Sequence, residues 1–134
     1  MTTKSVYIAG PMTGYPEFNF PAFYAAEDYL REVLGFNIVY NPARKEDEKK
    51  LDKTAYDTGD AALAIEKGFD FLKVYLWDVE KVIAADAIYM LIGWEQSAGA
   101  KGELAVAQAV QRHYPNDYEI LFQNEWHFSC MEAS

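Results

Sequence analysis

The chain has 134 residues, 51% hydrophobic and 16% aromatic, and its 12 Lys and Arg against 21 Asp and Glu give a formal charge of −9. A single domain with no second folded unit is the expectation at this length, and a chain of this size buries roughly 68% of its unfolded surface, enough for a real core. The acidic balance disfavours partners that are themselves polyanions, so nucleic-acid polymers and anionic membrane surfaces are poor expectations.

Ser5 to Ala9 is short, β-branched and aromatic, and stops at Gly10-Pro11, the pattern of a buried strand running into a turn. From Pro21 the apolar residues Phe23, Ala26, Leu30, Val33 and Leu34 recur at helical spacing, with the proline suited to a first turn and Gly35 to an end. Phe36 to Tyr40 predicts a second strand, closed by Asn41-Pro42. Residues 43–60 are highly charged and read as a solvated insertion, or as a lid in which Arg44 or Lys45 reaches an anionic ligand.

Ala61 to Ala85 predicts one or two helices, and Ala87 to Ile92 a third strand without polar alternation, as in a sheet covered on both faces. An alanine-rich helix over Gly102 to Arg112 and a fourth strand over Tyr118 to Phe122 follow, while Trp126 to Ser134 reads equally as an edge strand or an interface tail. Strands alternating with helices predict a small doubly wound, flavodoxin- or Rossmann-like α/β domain with a parallel sheet. Such sheets bind ligands beyond the carboxyl ends of their strands, where the strand order reverses.

The lone cysteine, Cys130, permits no internal disulfide, and no histidine is placed to activate it, so an idle thiol is the expectation. His113 and His127 lack zinc-ligand spacing, and no metal is implied. The apolar run near the N-terminus is too short for a signal segment, and no stretch approaches about 18 apolar residues, which makes the cytoplasm the expected compartment.

Several side chains carry candidate chemistry. Gly10-Pro11-Met12-Thr13-Gly14 spaces its glycines as G-x-x-x-G, unlike a dinucleotide fingerprint or a phosphate loop, so no NAD or nucleoside triphosphate cofactor is implied. The segment reads as a tight turn or as a place of close backbone approach to a ligand. Ser97-Ala98-Gly99-Ala100-Lys101-Gly102-Glu103 reads as a small-residue loop entering a helix, whose free N–H groups suit an anion. Glu103 then falls in a first helical turn, where it either steadies the helix or stays ionised as a nucleophile.

Asp78 shares a helical stripe with Phe71, Val74, Tyr75, Val82 and Ala85, and so faces the core, where a carboxylate has a partner or a task. The alternative is a rim aspartate that caps or pairs. Asp86 reads as a turn or capping residue, and Tyr7 as a core tyrosine or a hydroxyl aimed into the crevice. Tyr75, Trp77, Tyr89 and Trp94 read as core or subunit contacts, with Trp94 also placed to cover a bound ring.

Tyr7-Ile8-Ala9-Gly10-Pro11-Met12, the run from Asp78 to Asp86, and the run from Ser97 to Leu104 together resemble the nucleoside 2-deoxyribosyltransferase superfamily over residues 5–112. The Gly10 to Phe23 stretch resembles a phage and prophage branch of it. The superfamily includes deoxyribosyltransferases and 2'-deoxynucleoside 5'-monophosphate N-glycosidases. The resemblance implies that Glu103 attacks the anomeric carbon of deoxyribose, that Asp78 assists proton transfer, and that Tyr7 holds the nucleophile.

It also implies substrate contacts from Gly10, Pro11, Met12, Trp94, Ser97, Gly99, Lys101 and Gly102. Transferases acting on free nucleosides tend to carry aspartate where Ser97 stands, and monophosphate hydrolases carry serine, so a 5'-monophosphate is the expected substrate. The hydrolases have an arginine-rich loop after the first strand, whereas Thr13, Gly14 and Tyr15 follow here, leaving helix amides, Lys101, Arg44 or Lys45 to meet the phosphate. The expected activity is hydrolysis of a deoxynucleotide's base–sugar bond, with base exchange on free nucleosides, or nucleotide sequestration without catalysis, as alternatives. A homodimer or higher homo-oligomer is implied by the same resemblance.

Overall fold

The computed structural model describes residues 4–45 and 51–124. Its strands are β1 (Ser5–Ala9), β2 (Ile38–Tyr40), β3 (Ala87–Met90) and β4 (Glu119–Phe122), and they form one sheet in the order β2-β1-β3-β4. Every pairing is parallel, with Tyr7 beside Tyr40 on one side and Ile88 on the other. In chain order the helices are α1 (Phe20–Glu32), α2 (Pro42–Lys45), α3 (Lys53–Thr58), α4 (Ala61–Glu66), α5 (Phe71–Ala84) and α6 (Ala98–His113). This is the doubly wound flavodoxin-like arrangement, and its strand order reverses between β1 and β3. Among the described residues no helix is long and apolar enough to cross a membrane.

Alternation along the strands sorts side chains onto two faces. Val6, Ile8 and Tyr89 pack with Phe23, Ala26 and Leu30 of α1, while Tyr7, Ala9, Ile88 and Met90 pack with Val82 of α5 and with Ala100, Leu104 and Ala107 of α6. Both β1 and β3 are buried along their whole length, which explains the absence of polar alternation in their sequences. The position of Tyr7 in the pleat therefore turns its ring toward the two helices that carry Asp78 and Glu103. At the opposite, amino edge, Asp86 fastens β3 to β1 by accepting from the Ser5 amide at 2.8 Å and the Ser5 hydroxyl at 3.1 Å. Asp86 is thus a structural latch away from the carboxyl ends.

Several element boundaries differ from the sequence pattern. Helix α1 stops at Glu32, and Val33 and Leu34 are exposed rather than part of its buried stripe. The stretch after Ala61 is two helices, one of the two arrangements its pattern allowed, parted at Gly68, whose φ is 104°. The described part of 43–60 is largely helical instead of a solvated loop. Asp52 accepts from the Ala55 amide at 3.1 Å to start α3, Gly59 ends it with a φ of 72°, and Asp60 accepts from the Leu63 amide at 3.0 Å to start α4. Ala55 is fully buried. Residues 46–50, the 126–134 tail, His127 and Cys130 lie outside the described residues.

Candidate active site

Three buried polar side chains meet on the α5–α6 side of the sheet. The Tyr7 hydroxyl, wholly buried beneath β1, donates to Glu103 Oε2 at 2.7 Å. Asp78 reaches the same point from α5, acting through its charge and through side-chain hydrogen bonding on both Glu103 and Tyr7. Strand pleat, the helical stripe of α5 and the inner face of α6 each contribute one member, so residues far apart in the chain converge.

Burial pushes the Glu103 carboxyl well above the usual carboxylate range, the Asp78 charge adds to this, and the hydrogen bond from Tyr7 pulls the other way. Two buried carboxyls this close ionise together only at high cost, which favours one proton on the pair. Tyr7 itself is pushed up by burial first and by both acids after that, and it stays a donor. Glu103 is a second-turn residue, because α6 begins at Ala98 and not at Gly102. The first-turn dipole argument for an ionised Glu103 is therefore replaced by burial and like charge, which favour the proton.

The trio lines a cavity of about 230 Å³, several times the volume of a single water. Aromatic rings are its most frequent large wall groups, with Phe18, Phe20, Phe23, Phe69, Phe71 and Tyr75 lining it. Among the described residues the titratable side chains of the lining are Tyr7, Tyr75, Asp78 and Glu103, none of them cationic. No group of three or more His, Cys, Asp or Glu among the described residues is arranged to hold a metal ion.

Of the residues singled out from the sequence, Gly10, Met12, Ser97 and Gly99 line this cavity with the trio, whereas Pro11, Trp94, Lys101 and Gly102 do not. Gly10 also serves packing, since a Cβ there would come 2.7 Å from Leu91 Cβ, beside the amide of Leu91 that donates to Ala9 O. The Ser97 hydroxyl oxygen accepts from the Ala100 amide at 3.1 Å, so this serine caps α6, and the supposed loop from Ala98 to Gly102 is the helix's own start. Trp94 packs against Phe122, their ring centroids 5.8 Å apart.

Lys101 is exposed. Arg44 is drawn to α1, donating to Glu27 Oε1 at 2.7 Å with its guanidinium 4.8 Å from the Tyr24 ring centroid, and Lys45 lies 5.9 Å from the Trp77 ring centroid. None of the three lines the cavity. Glu27, which also accepts from Asn41 and Arg31, was not singled out in the sequence. Its network fixes the turn that carries Pro42, a cavity residue.

The sequence pattern also missed the turn that presents Phe18. Glu17, Phe18 and Asn19 all have left-handed backbones, with φ of 58°, 50° and 62°. Each such residue costs roughly 1–2 kcal/mol. Asn19 Nδ2 donates to Pro11 O at 3.0 Å and Tyr56 donates to Glu17 at 3.3 Å, anchoring the turn at both ends, and Phe18 is left almost wholly buried on the cavity wall. The available signal was Asn19, a residue tolerant of this conformation, between Pro16 and Pro21.

The family model described as a domain of unknown function (DUF4406) matches residues 4–114, and the chain belongs to that family. No curated protein and no solved structure matches it.

Proposed function

We propose that this DUF4406 family member is an N-glycosidase that releases the base from a 2'-deoxynucleoside 5'-monophosphate, with the nucleoside 2-deoxyribosyltransferase superfamily as its wider kin. The observation that carries the reading is the buried Tyr7–Glu103–Asp78 cluster at the floor of an aromatic-walled cavity. A buried acid pair is costly to a fold, and glycosidic chemistry uses such a pair with one carboxyl protonated and the other ionised.

For reaction the pair's proton sits on Asp78, the less populated arrangement, which the Tyr7 hydrogen bond to Glu103 brings within reach. Glu103 attacks C1' as the bond to the base nitrogen breaks, and the Asp78 proton goes to the departing base. The products of this step are a deoxyribosyl ester on Glu103, the free base and an ionised Asp78. Water then adds to C1', giving its proton to Asp78, and Glu103 leaves as the carboxylate. Carboxyls close enough to share a hydrogen bond suit this covalent, retaining route rather than the roughly 6.5–9.5 Å separation of inverting enzymes. At the far end of the sugar, Ser97 and the first turn of α6 offer a hydroxyl and amides to the 5' group.

A second reading, deoxyribosyl exchange between free nucleosides, is favoured by the absence of any cation among the described lining residues. Mass spectrometry after incubation with deoxynucleotides, deoxynucleosides and a second base separates the two. Free base from the monophosphates alone supports hydrolysis, and an exchanged nucleoside supports transfer. Binding without turnover, undiminished in Glu103→Ala, would leave only sequestration.

A further inference from the structure

Tyr75 has a place that its helical stripe alone did not reveal. It precedes Asp78 by one turn of α5 and lines the mouth of the cavity, 37% exposed, instead of filling the core. Its ring lies against the start of α6, where two glycines leave room for it. A Cβ on Gly102 would run into the Tyr75 hydroxyl, and one on Gly99 would touch its ring. Glycine inside a helix costs roughly 1 kcal/mol against alanine, so this segment gives up helix stability at the positions that seat one side chain.

The Tyr75 hydroxyl lies 3.4 Å from Gly99 O, well beyond the ordinary O–H···O distance of about 2.7–2.8 Å. Its proton is weakly held and ready for a better acceptor. Burial, then the charges of Glu103 and Asp78, push its pKa up, so it remains a donor at neutral pH. The hydroxyl thus sits beside Gly99 and Gly102 on α6, the helix that also carries Ser97 at its cap and Glu103.

We propose that Tyr75 is a specificity-determining residue, donating its hydroxyl to the oxygen on C5' of the bound sugar, and that Gly99 and Gly102 serve this role by seating its ring. The proposal rests on the glycosidase reading above, with C1' at Glu103 and the 5' end toward Ser97. The C5' oxygen is common to a phosphate ester and a free hydroxyl, and the substrates tested tell these apart.

The experiment compares parent, Tyr75→Phe and Gly102→Ala on three compounds of one base: the 2'-deoxynucleoside 5'-monophosphate, the 2'-deoxynucleoside, and the 2',5'-dideoxynucleoside, which has no C5' oxygen. Tyr75→Phe should raise KM about tenfold on whichever oxygen-bearing compound is the substrate, leave kcat within about threefold, and change nothing on the 2',5'-dideoxynucleoside. Gly102→Ala should raise KM in the same direction without lowering the melting temperature, a combination that a purely structural tyrosine would not produce. An equal penalty on the 2',5'-dideoxynucleoside, or no penalty with Tyr75→Phe, overturns the role of Tyr75 while leaving the glycosidase reading intact. If the parent binds these compounds without cleaving them, the glycosidase reading fails, and calorimetric Kd values replace KM with the same criteria. If the parent neither cleaves nor binds any of them, both ideas fall.

Discussion

Replacing Tyr7 with phenylalanine tests the centre of the mechanism with the least disturbance. The ring stays in its wholly buried place under β1, and the only loss is the hydroxyl that donates to Glu103 Oε2 at 2.7 Å. A hydrogen bond to a charged acceptor contributes about 1.5–3 kcal/mol. In the acid pair this amount favours the arrangement with the proton on Asp78 and the charge on Glu103 over its reverse. Removing it should lower the productive fraction, and with it kcat, by about 10- to 100-fold, since each 1.4 kcal/mol is a factor of ten. KM should move little, because the Tyr7 hydroxyl is spent on Glu103 rather than offered to the substrate.

The Tyr7 hydrogen bond is also the one interaction holding the Glu103 pKa down against burial and Asp78. Its loss should move the acid limb of the activity profile to higher pH. The assay is base release under saturating substrate across pH, with circular dichroism confirming the fold. A kcat within twofold of the parent and an unmoved acid limb would refute the idea that Tyr7 assigns the proton.

Glu103→Gln should abolish base release and alter stability with a definite sign. A carboxyl whose folded pKa lies above its unfolded value of about 4.3 holds extra protons in the native state, so stability falls as pH rises through that interval. The glutamine variant should lose less stability than the parent in urea titrations between acid and neutral pH. Glu27 carries the opposite sign: burial would raise its pKa, but hydrogen bonds from Arg31, Arg44 and Asn41 outweigh this and lower it. Its contribution is complete above about 4.3 and lost as pH falls through the lower folded value. Glu27→Ala should cost about 2 kcal/mol at neutral pH, the cost of leaving the buried Asn41 amide short of an acceptor. The difference from the parent should shrink in acid, as urea denaturation at both pH values would reveal. Gly59→Ala should destabilise by about 2 kcal/mol or more, from a left-handed backbone together with a Cβ that would strike the Tyr15 carbonyl. A melting temperature equal to the parent's would contradict that packing.

What could be read from the sequence is unevenly distributed. The hydrophobic runs of β1 and β3 and the stripes of α1 and α5 were legible because each follows one period over its length. Asp78 stood out for the same reason, as a carboxylate on an apolar stripe. In the described part of 43–60 the helices were hard to read because charge hid the local punctuation. Asp52, Gly59 and Asp60 mark the helix ends there, and a short helix needs few apolar side chains when it docks through alanine. The small-residue stretch from Ala98 to Gly102 misled in another way. Its glycines resemble a loop along the chain, yet they lie inside α6 to make space for a ring from a different helix.

Local pattern by itself determined the alternation of strands and helices, hence a parallel sheet with both faces covered, because backbone periodicity and turn residues act over a few positions. It could not determine that the Tyr7 hydroxyl meets Glu103, that burial and Asp78 push the Glu103 carboxyl toward its protonated form, that Tyr75 lines the cavity, or that Arg44 is occupied by Glu27. These depend on distances between residues remote in the chain and on how much water remains around them. Only the folded packing sets those two quantities, and a carboxyl's charge depends on both.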